Sequence, residues 1–245
     1  GDILRGRYVH QHLLKDGMLT RFEDLPLNSF VIFVSHEWLS DNHPDPHGVH
    51  MRALCETLSK LRKGAYETSS TVFHRVVYKN NTVTSPKEWK ALLSCAYVWF
   101  DWFSQPQPSA DMDSRIRSSS SSNKDGRTTP TQEDLLQEED ESVSALSKEL
   151  KLAIRTMPVY VERSDCLLIL TPGSVHSSRV SERTRRKMNT CYRTWRSRAF
   201  CVLELFCSFL SKYKTHPNLL VDSATDRPHW LSVMDSIRLS VGQAR

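Results

Sequence analysis

A chain of 245 residues, 39 % hydrophobic and 25 % charged, has ordinary globular composition and enough apolar mass for one sizeable core or two small ones. No apolar run approaches the ~20 residues that a membrane-spanning helix needs, so a membrane segment is not expected. The net charge of +5 is unevenly placed: Glu133-Asp134 and Glu138 to Glu141 are acidic, whereas Arg179, Arg183, Arg185, Arg186, Lys187, Arg193, Arg196 and Arg198 form a basic stretch.

The first residues lack an initiator Met and an apolar signal core, so the chain reads as a fragment of something longer. Residues 1–29 read as an N-terminal extension. Val31-Ile-Phe-Val-Ser35 is a short, β-branched apolar run that reads as a strand buried on both faces. A loop, His43-Pro-Asp-Pro-His-Gly48, follows it. Met51, Leu54, Cys55, Leu58 and Leu61 then recur at helical spacing until Gly64 stops the pattern. Thr71 to Tyr78 reads as a second strand with imperfect alternation, and Pro86 to Ser94 as a short helix. Tyr97 to Phe103 is aromatic and β-branched and ends in prolines, which predicts a central strand.

Residues 109–140, with the serine run Ser118 to Ser122, hold too little apolar surface to offset the cost of ordering, and disorder is expected there. From Val143 a helical stripe returns through Leu146, Leu150, Ile154 and Met157. Cys166-Leu-Leu-Ile-Leu-Thr-Pro172 is a second buried strand. A basic loop, a helix over Phe200 to Tyr213 and a last strand at Leu219-Leu-Val221 complete the order. Alternation of strands and helices predicts a parallel sheet with helices on both faces, and a ligand mouth beyond the carboxyl ends of the strands, which places Ser35 to Trp38, Asp101 to Ser104 and Thr171 to Gly173 around it. Two segments, 30–108 and 141–245, then make one α/β domain around the insert.

Six cysteines, Cys55, Cys95, Cys166, Cys191, Cys201 and Cys207, form no CxxC pair and mostly sit in apolar stretches. That usage fits a reducing compartment, hence a cytoplasmic location, better than a disulfide framework or a structural zinc site. His36, His43, His47 and His50, with Asp41 and Asp45, match no metal-ligand spacing, and no metal site is predicted. The chain has no Walker A sequence, no GxGxxG and no GxSxG elbow, so no cofactor motif is present. The basic stretch carries only Tyr192 and Trp195 as interleaved aromatics, too few to predict a nucleic-acid site.

The order of four motifs resembles the Toll/interleukin-receptor (TIR) family. Ser35-His-Glu-Trp38 looks like the end of that family's first strand, and Phe100-Asp101 like the end of its second. Ala153-Ile154 with Glu162-Arg-Ser-Asp-Cys-Leu-Leu-Ile-Leu170 is similar to its "AI…S…ivvlS" segment, and Arg198-Ala-Phe-Cys-Val-Leu-Glu-Leu205 to its "WCxxEL" helix. The chain is also similar to a group of protist proteins with SHxW and WRxRxxC motifs, a likeness that implies no function. The TIR resemblance covers roughly residues 30–210 and implies a flavodoxin-like fold. It also implies that Glu204 occupies the place of the glutamate with which many TIR domains split NAD between nicotinamide and ribose, so NAD is implied as a substrate. Phe200 stands where the family has Trp, the insert stands where it has its BB loop, and residues 64–94 are an addition.

The residues allow that chemistry. Glu204 lies in a largely apolar helix, where a carboxyl group must either find a partner or face a polar site. A fixed carboxylate there stabilises the oxocarbenium-like ribose left when nicotinamide departs. The competing reading pairs Glu204 with Arg196 or Arg198. Trp38 either stacks on a base or packs at the rim. Ser35 and His36 either bond a ribose or phosphate, or cap a turn. Asp101 either binds a ribose hydroxyl or takes backbone donors. Phe200 is assigned to substrate through its place beside the motif. Arg193, Arg196 and Arg198 either hold a pyrophosphate or stay solvated.

Three functions follow as expectations. The first is an NAD glycohydrolase with Glu204 as its key carboxylate. The second is a non-catalytic TIR-like signalling or scaffold module that associates with itself or with other TIR-like domains. The third is a nucleoside or nucleotide transferase on a similar sheet.

Overall fold

The computed structural model describes residues 9–41, 43–79, 81–106, 148, 151–152, 154–180, 185–223 and 227–236. The serine-rich insert, the acidic block and three positions of the helical stripe, Val143, Leu146 and Leu150, lie outside those residues.

The framework is a five-stranded sheet. Its members are β1 (Phe30–His36), β4 (Ala96–Phe100), β5 (Cys166–Leu170), β8 (Asn218–Val221) and β9 (His229–Leu231), in the spatial order β4-β1-β5-β8-β9. The first four run parallel and β9 is antiparallel to β8. β1 and β5 occupy the middle because their side chains are apolar on both faces: every residue of β5 and all but one of β1 are buried. The fold is therefore α/β with a mostly parallel sheet, as the alternation predicted, and the antiparallel β9 is an addition to it.

Helices cover both faces. Phe30, Ile32 and Val34 project to one side with Leu168 and Leu170, against Leu54 and Leu61 of α2 (Val49–Arg62) and Trp89 of α4 (Pro86–Leu92). Phe33, Leu167 and Ile169 project to the other side. There they meet Met157 and Val161 of α6 (154–162), Trp195 of α7 (Tyr192–Trp195) and Leu205 of α8 (Ala199–Leu210). Each fully buried aliphatic side chain contributes roughly 1.5–3 kcal/mol to this two-sided core.

The start of α2 is fixed by the proline-rich loop before it. Asp45 is buried, and its two carboxyl oxygens accept from the first-turn amides of Val49 (2.7 Å) and Met51 (2.8 Å). These are orphan donors of a helix end, and a carboxylate there also complements the helix dipole. Asp45→Ala should therefore cost about 1–2 kcal/mol in urea unfolding, with Asp45→Asn recovering much of it. Equal stability of Asp45→Ala and wild type would show that water replaces the cap.

Three sequence expectations are corrected. Thr71 to Tyr78 is not a strand: α3 (Val72–Tyr78) is helical, with Thr71 Oγ1 accepting from the His74 amide at 3.2 Å and donating to Asp235 at 2.8 Å. The cap decides the conformation, because no residue of α3 is buried and the β-branched valines have no pleated surface to pack on. The aromatic strand is shorter than expected and is an edge. Among the described residues β4 pairs only with β1, and it gives way to α5 (Asp101–Ser104). Its aromatics seal that edge, with Trp99 stacked on Phe33 (4.2 Å between rings) and on Tyr160 (5.6 Å). Finally, the basic stretch is not one loop. It contains a hairpin of β6 (Ser174–Val180) and β7 (Lys187–Thr190), and then α7. In the added segment 64–94, β2 (Thr68–Ser69) and β3 (Val83–Thr84) pair antiparallel, and Trp89 Nε1 donates to Thr68 Oγ1 at 2.9 Å.

Candidate functional site

The carboxyl ends of β1 and β5 lie side by side, with Ser35 opposite Ile169 and His36 opposite Leu170. Because side chains alternate along a strand, consecutive residues at this tip serve different faces of the sheet. Ser35 points to the face covered by α7 and α8, and His36 to the face covered by α2.

On the first face, Glu204 projects from α8 and its Oε2 accepts a short hydrogen bond from Ser35 Oγ. Trp195 is fully buried and donates from Nε1 to the same Ser35 Oγ at 3.0 Å. An indole nitrogen can only donate, so Ser35 is left with its own hydroxyl proton to give to Glu204. The two helices thus bring Trp195, Ser35 and Glu204 into one chain of hydrogen bonds. Glu204 is 8 % exposed. Burial pushes its carboxyl up to about 8, against the opposing bond from Ser35 and with a further push from Asp101. Glu204 forms no ion pair with Arg196 or Arg198 among the described residues. Arg196 instead donates to the Ser236 carbonyl oxygen.

On the second face, His36 Nε2 meets Asp101 Oδ1 at 2.9 Å and His36 Nδ1 lies 3.3 Å from His50 Nδ1. The ring of His36 stacks on Phe100 at 4.4 Å. Trp38 Nε1 donates to Asp101 Oδ2 at 2.7 Å, and the Trp102 amide donates to Asp101 Oδ1 at 2.7 Å. Burial alone would raise the Asp101 carboxyl, but the facing His36 and these three hydrogen bonds bring it below its ordinary value. His50 is held well below its ordinary value by burial first and by His36 second. Three internal donors take up most of the acceptor capacity of Asp101. Trp38 packs edge-on against Trp102 at 5.8 Å between rings.

The β6–β7 hairpin crosses the same tip. The amide and hydroxyl of Ser177 both donate to the Leu39 carbonyl oxygen, at 2.8 and 2.9 Å, and the Asp41 amide donates to Ser178 Oγ at 3.3 Å. This seats Arg179 Nη1 3.7 Å from Glu37 Oε1. His176 is buried, and its Nδ1 accepts from the amides of Ser178 (3.2 Å) and Arg179 (3.0 Å), so the ring proton lies on Nε2 in its neutral form. Burial and then Arg179 lower the pKa of His176, against Asp41 and Glu37.

The sequence-derived candidates therefore divide. Ser35 and Glu204 are in contact; His36, Trp38 and Asp101 are in contact on the opposite face of the same strand end. Phe200 belongs to neither group and is 53 % exposed on the outer side of α8. Of the four histidines, His36 and His50 come together, and His43 lies against Trp102 at 4.7 Å between ring centres. Sequence reasoning placed Glu37 and Thr171 at the mouth, within Ser35 to Trp38 and Thr171 to Gly173, without giving either a role; it named Trp195 only as an aromatic of the basic stretch and did not single out His176.

Comparison with protein-family models, with curated proteins and with solved structures finds no match for this chain. No described helix is long and apolar enough to cross a membrane.

Proposed function

We propose that this chain is a flavodoxin-like, TIR-like domain that hydrolyses the bond between nicotinamide and ribose in NAD, with Glu204 as the carboxylate facing the reacting ribose. Counted in chain order, the four parallel strands lie 2-1-3-4, an order that suits a doubly wound sheet whose ligands bind at the strands' carboxyl ends. The observation that carries the reading is the setting of Glu204: buried, bonded to Ser35 at the tip of β1, and paired with no guanidinium among the described residues.

The chemistry follows from charge. The nicotinamide ring of NAD is cationic, so breaking its bond to ribose sends the bonding electron pair to the ring nitrogen and leaves positive charge on the ribose. A water oxygen then bonds to the ribose carbon and one of its protons leaves to solvent. Glu204 is mostly neutral at pH 7 when no cation is near. A cationic ring beside it favours the ionised form, so substrate binding releases a proton and places a carboxylate where positive charge develops. The test is nicotinamide release from NAD by the concentrated protein. No release at any concentration or pH would refute the reading.

A second reading, a module that assembles with like domains, is favoured by one observation. Phe200, Leu203, Phe206 and Leu210 of α8 form an exposed apolar row on the helix face turned away from the sheet. Arg185 and Arg186 are exposed as well. Association should rise with concentration in light scattering and be weakened by Phe206→Asp or by reversing both arginines. A monomer at every concentration in low salt counts against it.

A further inference from the structure

One pair of polar atoms at the tip has no role in the hydrogen-bond chains above. Glu37 is 5 % exposed, and its Oε2 has no hydrogen-bond partner among the described residues. Thr171 is 6 % exposed, and its Oγ1 is likewise without a partner. Glu37 directly follows the last residue of β1 and Thr171 the last residue of β5, and those last residues, His36 and Leu170, are paired. The backbone of Thr171 is held in place, its amide donating to the Val221 carbonyl oxygen at 2.8 Å.

A buried carboxylate oxygen and a buried hydroxyl left unsatisfied are costly, at about 1–3 kcal/mol each or more for the charged group. Each such atom calls for an explanation, and a ligand that completes it is one. The pair offers an acceptor beside a group that both donates and accepts. The carboxylate excludes anions and asks for donors, and the nearby Arg179 takes only its other oxygen.

We infer that Glu37 and Thr171 form the subsite for the vicinal hydroxyls of the ribose whose bond is cut, with Glu37 Oε2 accepting from one hydroxyl and Thr171 Oγ1 bonding the other. The inference rests on the NAD reading above and deepens it. Glu37 directly follows β1, and Ser35, which holds Glu204, is the last residue but one of that strand, so the hydroxyl-binding group and the carboxyl facing the reacting carbon share one strand end. Glu37 is a specificity residue in this scheme and Glu204 is the catalytic one.

The test compares NAD with its analogue lacking the 2′-hydroxyl on the nicotinamide ribose, using the full chain as wild type, Glu37→Gln and Thr171→Val. Glu37→Gln should lower kcat/KM for NAD about 10- to 100-fold while changing that for the deoxy analogue less than about threefold, because the lost bond involves a group only NAD carries. Thr171→Val removes the bond to the 3′-hydroxyl, which both substrates carry, and should lower kcat/KM for the two by a similar, smaller factor. Thermal unfolding of Glu37→Gln beside wild type separates misfolding from lost recognition. Equal losses on both substrates would overturn the assignment of Glu37 while leaving NAD cleavage by Glu204 intact. A wild type that neither cleaves NAD nor binds it in calorimetry would overturn both.

Discussion

Glu204→Gln should abolish most nicotinamide release, by roughly 100- to 1,000-fold in kcat, while leaving the domain folded. That range is the usual effect of removing one group aimed at developing charge. Gln keeps the shape of the side chain, and its carboxamide oxygen still accepts from Ser35 Oγ. What it cannot do is become negative. If Glu204 serves only to satisfy Ser35, the variant loses nothing in turnover and the enzymatic reading falls. If Glu204 faces the reacting ribose, turnover falls while near-UV circular dichroism stays close to wild type and the variant is no less stable than wild type at pH 7. The folded carboxyl is mostly uncharged at that pH when no substrate is bound, being pushed up to about 8 by burial, whereas the unfolded one is ionised, so the amide removes the cost of protonating it on folding. A neutral amide therefore replaces a mostly neutral acid, and no ion pair among the described residues is broken. A large loss of stability would mean that both carboxyl oxygens hold the helix in place, and would make the activity result uninformative without Glu204→Asp beside it.

How much of this was readable in advance depends on which force decides each element. β1 and β5 were legible because a strand buried on both faces must be apolar throughout, and few other structures ask for Phe-Val-Ile-Phe-Val or Cys-Leu-Leu-Ile-Leu. α2 was legible because its stripe and the closing Gly64, at a φ of +71°, agree. α3 was not, because Val72, Val76 and Val77 carry strand propensity that matters only on a pleated, half-buried surface, and here Thr71 and Asp235 set a helix instead. The β6–β7 hairpin was hidden for a different reason. Its strands are polar on both sides, so no apolar alternation marks them, and what holds β6 over the site is backbone and hydroxyl bonding to Leu39. That blind spot cost the site most. The hairpin delivers His176 and Arg179, and α7 after it delivers Trp195, yet charge alone suggested a solvated loop. Glu204 was singled out by the TIR resemblance, with its place inside an apolar helix as support. Glu37 was not, because an acid beside a strand end is commonplace until its burial and its unsatisfied oxygen are known.

The pH dependence of stability and of turnover should both report Glu204, and with opposite slopes. The folded carboxyl titrates near 8 and the unfolded one near the ordinary 4.5. Below pH 4.5 both states carry the proton. Between 4.5 and 8 the folded state keeps it and the unfolded state does not, so stability falls as pH rises, by up to ~1.4 kcal/mol per unit and about 4–5 kcal/mol across the window. Above 8 both states are ionised and the slope ends. Urea unfolding across this range should show the decline in wild type and lose it in Glu204→Gln; parallel curves for the two would place the titration elsewhere. Turnover of NAD needs the ionised form, so kcat/KM should rise toward pH 8 as the fold weakens. The direction of that limb also separates the two glycosyl chemistries that a lone carboxyl can run. A neutral nucleobase has to be protonated to leave, and a protonated Glu204 would serve it as general acid, giving activity that falls above pH 8. Nicotinamide leaves from a cation and needs no proton. A rising limb with NAD therefore supports the hydrolase, whereas a falling limb with an uncharged nucleoside assigns the same residue to a nucleoside transferase or hydrolase. A catalytic Glu204 would thus leave the domain least stable in the pH range where turnover is fastest.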